Sequence, residues 1–395
     1  MTIKAGKAIR ATLLISLLVC VTALSSRLQA DTGICGGASI TLPFTDVPSG
    51  NVFFCSIAEA FFSGLSNGTT PTTYSPAASV PREQMAAFVT RTLDQSLKRG
   101  SKRAALRQFW TPGTGDDLAL TALGGSPALV ESDGADLWVA NGNNTVSRVR
   151  ASDGKLLETW TGATNASGVV SAKGRIFVTG QTTPGSLYQI DPTQPAGAVT
   201  TLTTSLGGNA IGISFDGSRI WTANTAGSVS IITLNPLSVS TVTLGFTFPG
   251  GILYDGANIW VTDVGADKLF KLDSSGAIIQ TVSMGSQPAF PAFDGTNIWV
   301  PNQNANTVAV VRAATGTVLA TLTGNGLGFP ELASFDGERM LITSIDGNSV
   351  SLWKASDLTP LGFVGTGMNS NPIGACSDGL NFWIALSGTG KLARF

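Results

Sequence analysis

Carboxylates and carboxamides at the ends of short apolar segments are where this chain could do chemistry. Asn141, Asn224, Asp263 and Asn302 each close a segment of the Trp-Val-Ala-Asn type. Glu331 follows directly on Pro330, where the sister positions hold Ala128, Gly250, Ala289 and Ile373. Such oxygens bind calcium when six to eight of them converge, and they also make a shallow polar surface for a glycan or a protein loop. Acid–base catalysis asks for more. One carboxylate cannot be both acid and base, and a chain with no histidine lacks the usual neutral-pH proton carrier. No serine or cysteine triad and no phosphate-cradling glycine loop accompanies these residues. The expectation is a ligand surface made by Asn141, Asn224, Asp263, Asn302 and Glu331, the alternative being that the Asn and Asp residues are turn formers that satisfy their own backbone. No catalytic residue is predicted, and Ca2+ is the one cofactor that these oxygens would suit.

The elements that position these residues repeat. An Asp-Gly dipeptide recurs at Asp133, Asp216, Asp255, Asp294, Asp336 and Asp378, with Lys173-Gly174 standing in for a seventh copy, at spacings of 39 to 43 residues. Seven copies at that period predict a mainly β chain, a seven-bladed β-propeller of four-stranded antiparallel blades. Within a copy, an apolar innermost strand leads to the Asp-Gly turn. A second strand follows, carrying Trp138, Trp221, Trp260, Trp299 or Trp383, with Phe177 and Leu341 in the other two copies. Rings of that size at one position are expected to fill the space between neighbouring blades. The last copy stops after three strands at Phe395, so a strand over 118–123 is predicted to pair with Lys391 to Phe395 and close the ring.

Composition fits a buried, turn-rich chain: 43% of residues are hydrophobic, and 47 are glycine. From 111 to 395 there are thirteen basic and twenty acidic residues, a net of -7 that argues against nucleic acid as partner. Residues 1–30 read as a signal peptide. Lys4, Lys7 and Arg10 precede an apolar run from Ala11 to Leu24, and Leu28-Gln29-Ala30 offers a small-residue cleavage site. The run is too short to favour a permanent membrane span, and Cys20 within it raises the question of lipidation. Export places Cys35 and Cys55 in an oxidising compartment and makes them a candidate disulfide, leaving Cys376 as a buried small side chain.

Residues 31–97 form a different kind of unit. Phe54, Ile57, Ala58, Phe61 and Phe62 recur at helical spacing, and Met85, Phe88, Val89 and Leu93 do so again behind Pro81. A basic stretch, 98–112, then leads into the propeller of 113–395. The order Phe44-x-Asp46-Val47, Ile57, Gly64-Leu65-x-x-Gly68, Tyr74-x-Pro76 and Val80-x-Arg82-Glu83 resembles the S-layer homology domain. That resemblance implies a small α-helical domain that holds exported proteins on cell-wall polysaccharide. It places the contact with anionic groups of the polymer at Arg82, with Asp46 and Glu83 as orienting groups. The chain departs from the family in having Pro81 where a threonine is usual, and one copy where three are common.

The forty-residue copies resemble the YVTN-type propeller repeat and the streptogramin lyase-like propellers, through Trp138-Val139-Ala140-Asn141, Trp299-Val300-Pro301-Asn302, Asn144-Thr145-Val146 and Asn306-Thr307-Val308. The lyase likeness implies histidine catalysis beside an acidic metal site, and the histidine is absent. The reading is an exported cell-envelope binding protein whose propeller recognises a protein or glycan through loops at one end. The alternative is a propeller hydrolase or lyase with a metal-dependent acidic site at Glu331 and Asp263.

Overall fold

In five of the seven blades a tight hairpin carries an aspartate that does three jobs at once. In the first blade Asp133 Oδ1 accepts the N–H of Ala135 at 2.9 Å and of Asp136 at 2.8 Å, which satisfies donors that the reversal strips from the ladder. Gly134 supplies the positive φ of 93° that the turn needs. The remaining oxygen, Oδ2, accepts the indole N–H of Trp138 at 2.8 Å. The same bond recurs from Trp221 to Asp216, Trp260 to Asp255, Trp299 to Asp294 and Trp383 to Asp378 at 2.7 to 2.8 Å. A carboxylate thus fastens the turn and the buried tryptophan together.

The computed structural model describes residues 31–35, 38–62, 66–99 and 119–395, and the chain divides into two compact units between residues 99 and 100. The signal peptide, Cys20 and most of the basic stretch lie outside the described residues. In the second unit, seven four-stranded antiparallel sheets follow one another. Blades 1 to 6 run from Pro127–Ser132, Ala166–Ala172, Ala210–Phe215, Pro249–Tyr254, Ala292–Phe293 and Pro330–Phe335 outward through three further strands each. Blade 7 has Pro372–Ser377, Phe382–Leu386 and Lys391–Arg394, and its outermost strand is Ala119–Ala122 from the other end of the unit. The closure expected from the truncated last copy is present.

Packing between blades is apolar. Trp138, Trp221, Trp260, Trp299 and Trp383 are each fully buried. Trp138 packs with Ile176 and Val178 of the next blade, and Trp383 with Leu137 and Val139 across the closing seam. Hydroxyls stitch the innermost strands as well. Thr262 Oγ1 accepts from Gly251 N at 2.9 Å and donates to Ala289 O at 2.8 Å in the next blade. Thr343 repeats the pattern with Leu332 N and Ile373 O. Gly251 permits this approach, since a Cβ there would lie 2.7 Å from Ala289 O.

Blade 2 corrects one expectation. Ala172 pairs with Arg175 across Lys173 and Gly174, both at positive φ, so the aspartate column falls on Ala172 and not on Lys173. The aspartate is missing where its indole partner is also missing, at Phe177. In blade 6, Leu341 leaves Asp336 without an indole. Arg339 Nε takes over at 2.8 Å, with 8% of its side chain and none of the Asp336 side chain exposed.

The first unit holds a hairpin of Thr32–Cys35 and Ala38–Thr41 and two helices, α1 (Phe54–Phe62) and α2 (Arg82–Arg99). Cys35 and Cys55 form a disulfide with Cα atoms 5.5 Å apart. Leu42, Phe44, Val47, Phe54, Ile57 and Ala58 make the core. The predicted apolar stripes are only partly used: Phe62 on α1 is exposed, and Met85 and Val89 on α2 are as well.

Candidate functional site

The end of the channel where the chain enters each innermost strand was the expected ligand surface. It is built from side chains that the fold already consumes. Asn141, Asn224, Asp263 and Asn302 are completely buried. Asp263 accepts four backbone N–H groups, from Thr247 and Phe248 at 2.7 and 3.0 Å and from Gly265 and Ala266 at 3.1 and 3.0 Å. Asn224 binds Ser228 and Ser230 through Nδ2 and accepts from Thr222 Oγ1. Asn141 donates to Thr145 and Ser147, and Asn302 to Thr307. These residues tie the second strand to the turn beyond it, so the expected contact surface is internal scaffolding. A short polar residue at a strand end reads as surface in a sequence, yet the turn it organises covers it.

The expected calcium site meets the same difficulty. Asp263 belongs to blade 4 and Glu331 to blade 6, and the Asp263 oxygens are already occupied by backbone donors. Among the described residues no three acidic, cysteine or histidine side chains gather as a metal would require.

Glu331 is the exception at this end. It sits one residue into the innermost strand of blade 6, half-buried, and its carboxylate accepts from Gln303 Nε2 of blade 5. Burial pushes its pKa up to about 7, with the Gln303 bond pulling the other way. A carboxyl that titrates near neutrality can hold or release a proton under ordinary conditions.

A second carboxyl of this kind escaped the sequence reading. Glu131 lies two residues before Asp133, near the turn end of the channel, where sister blades carry Ser214, Leu253, Ala292, Ser334 and Cys376. One charged residue in a column of small and apolar ones was the available signal. Burial alone raises the Glu131 pKa to about 7. Burial also pushes up the thiol of neighbouring Cys376, well above its ordinary value, with Glu131 and Asp378 adding to the effect. Cys376 is buried as expected.

On the first unit Arg82 opens α2 and is exposed, with Glu83 beside it in the first turn, where a negative charge suits the helix dipole. No carboxylate among the described residues pairs with Arg82. Asp46 is committed to the loop that precedes the helix, accepting from Tyr74 N at 2.8 Å and Ser75 N at 2.7 Å. Desolvation is the largest single influence and raises its pKa, but the backbone donors together outweigh it, so the carboxyl titrates below its usual value.

No family model matches the chain, and no curated protein matches it. Solved structures do resemble it. A streptogramin B lyase structure superposes with a TM-score of 0.59 at 15% identity, covering 70% of this chain and 97% of that one. Selenomethionine-substituted virginiamycin B lyase from Staphylococcus aureus gives 0.60 at 17% identity, over 70% and 98%. The WD40 β-propeller domain of Doa1 gives 0.59 at 13% identity, over 70% and 93%. At such identities the likeness is one of fold.

Proposed function

We propose that the chain is an exported, non-enzymatic binding protein of the cell envelope. Its first unit would attach to an anionic wall polysaccharide, and its propeller would present a recognition surface for a protein or glycan. The observation that carries this reading is Arg82: an exposed guanidinium in the first turn of α2, on a disulfide-locked unit, with no carboxylate partner among the described residues. A planar guanidinium left open in this way suits carboxylate or phosphate groups on a polymer. Asp46 contributes by fixing the loop that delivers the helix start, and Glu83 by flanking the arginine. Sedimentation with purified cell wall tests the reading. The intact chain is expected in the pellet and Arg82→Ala in the supernatant, and equal pelleting of the two removes Arg82 from the site.

A second reading, a hydrolase or lyase acting at the entry end of the channel, is favoured by one observation, the near-neutral titration of Glu331 beside Gln303. Elemental analysis of purified protein separates the two. A stoichiometric metal that is lost together with Glu331→Gln would favour the enzyme, whereas metal-free protein that still pulls down its ligand favours the binder.

A further inference from the structure

The channel widens near its turn end into a chamber of about 470 Å3 to which all seven blades contribute. Apolar side chains in its lining include Val130, Ile213, Ile252, Phe290, Leu332 and Phe335, with polar backbone and hydroxyl surface between them. Into this lining comes one ionisable carboxyl, Glu131. No hydrogen bond or ion pair to the Glu131 carboxyl is made by any described residue, and the side chain is half-buried. Its nearest polar companions in the wall are Ser334, Ser377 and the Cys376 thiol, all uncharged at neutral pH.

A protein seldom keeps a half-buried acid among apolar side chains without a cation or a donor of its own to meet it. Glu331 has Gln303, and every Asp of the turn column has backbone and side-chain donors, but Glu131 has neither. The chamber has the size of a small-ligand site, with one ionisable group to fix orientation and apolar side chains beside it. A metal ion fits poorly, because one carboxylate with neutral hydroxyls falls far short of a calcium shell. An ammonium group fits well. It needs one carboxylate, tolerates aromatic neighbours such as Phe290 and Phe335, and can carry a hydrocarbon body to cover the remaining wall.

We infer that this chamber is a binding site for a small amphipathic amine, its ammonium paired with Glu131 and its apolar part held against Val130, Ile213, Ile252, Phe290 and Leu332. The site lies within the second unit and does not depend on wall binding. Because an ammonium stabilises the charged carboxyl, binding near pH 6.5 would release a proton from Glu131, while binding at pH 8.5 would release almost none.

Calorimetry of the full chain with phenethylamine tests the proposal, with 2-phenylethanol as the uncharged isostere and 3-phenylpropionate as the anionic one. Saturable binding of the amine is expected in the millimolar range or tighter, at least about ten-fold tighter than either isostere. Its heat at pH 6.5 should vary with the ionisation enthalpy of the buffer. Glu131→Gln should weaken the amine at least about ten-fold, and Glu131→Asp should retain part of the binding if the shorter side chain still reaches. Equal binding of phenethylamine and 2-phenylethanol would overturn the charge pairing. Unchanged amine binding in a folded Glu131→Gln protein would overturn the site, and so would the absence of any saturable heat in the wild-type chain. Thermal melts of the variants confirm folding. Should Glu131→Gln not fold, the isostere comparison and the buffer dependence on the wild-type chain decide alone.

Discussion

Replacing Trp260 by Phe should cost the propeller far more than the loss of a partly redundant ring. Trp260 is fully buried, and its Nε1–H donates to Asp255 Oδ2 at 2.7 Å, while Asp255 Oδ1 holds the N–H of Ala257 and Asn258 at 2.8 and 2.6 Å. Phe keeps most of the packing but leaves one oxygen of a carboxylate without its donor. Hydrogen bonds to charged groups contribute roughly 1.5–3 kcal/mol, and the smaller ring adds about 1 kcal/mol of lost packing. The sum is about 3 kcal/mol, which for a domain of this size lowers Tm by roughly 6 °C or more. A double-mutant cycle with Asp255→Asn isolates the tether from the packing. Measured by urea unfolding, the coupling should be about 1.5–3 kcal/mol. Blade 6 is an internal control, because Leu341 offers Asp336 no such donor and Leu341→Phe should show no coupling of this kind to Asp336→Asn. Coupling below about 0.5 kcal/mol at Trp260 and Asp255 would refute the tether as a fastening and leave the indole as filler.

Stability should fall as pH rises from about 4.5 towards 7. Glu131 and Glu331 are each raised from 4.5 to about 7 in the folded chain, so the native state binds more protons than the unfolded one in that window. The full gap corresponds to about 3 kcal/mol per carboxyl, and partial exposure reduces the expected effect to about 1–2 kcal/mol each. Urea unfolding at pH 5 and pH 8 should show the loss in the wild-type chain and about half of it in Glu131→Gln, and a flat wild-type profile would contradict the raised values. Below that window the opposite trend is expected. Asp216 and Asp336 are partly desolvated, yet backbone donors and their arginines hold them below the usual carboxylate range, so stability should drop again as pH falls below about 4. Deleting 119–122 should open the ring at blade 7, because Ala119 to Ala122 pair with Lys391 to Arg394 and no other described strand pairs with that edge. A Tm fall of about 5 °C or more and self-association on size-exclusion chromatography are expected, and an unchanged monomer with unchanged Tm would show that closure is dispensable.

Much of the propeller could be read in advance because its information is periodic. A turn that needs a positive φ, and a ring that needs a buried slot, recur at the same offsets, and repetition averages out the ambiguity of any single copy. The closing strand followed from counting strands per copy, and Ala119–Ala122 is the fourth strand of blade 7. What the period did not convey was which atoms meet. Asp133 and Trp138 stand five apart, on opposite sides of a reversal, and only the hairpin geometry brings Oδ2 to Nε1. Yet the paired exceptions were visible: Ala172 with Phe177, and Leu341 with a compensating Arg339. The candidate ligand ring failed for a related reason. Asn141, Asn224, Asp263 and Asn302 look available because residue type suggests surface, whereas all four are buried and bonded within their own turns, with only Asn141 Oδ1 and Asn302 Oδ1 among their side-chain atoms left without a partner from the described residues.

Accounting for spent bonds is what moves the functional question to particular residues. In the propeller, almost every acidic side chain is claimed by a turn, an indole or an arginine, because a sheet reversal every few residues creates donors that must be met. A carboxyl that remains unclaimed in such a framework cannot be explained by the repeat. Glu331 is half claimed, by Gln303 alone, and Glu131 is not claimed at all, although both carry the desolvation cost that raises them to about 7. Arg82 on the first unit is unclaimed in the opposite sense, a cation in water rather than an acid in hydrocarbon. The first kind of open group recruits a compact cation into a chamber, and the second recruits a polyanion to a surface. If both recruit, the chain would bridge two ligands of opposite charge through its two units, and loss of amine binding in Glu131→Gln should leave pelleting with cell wall unchanged.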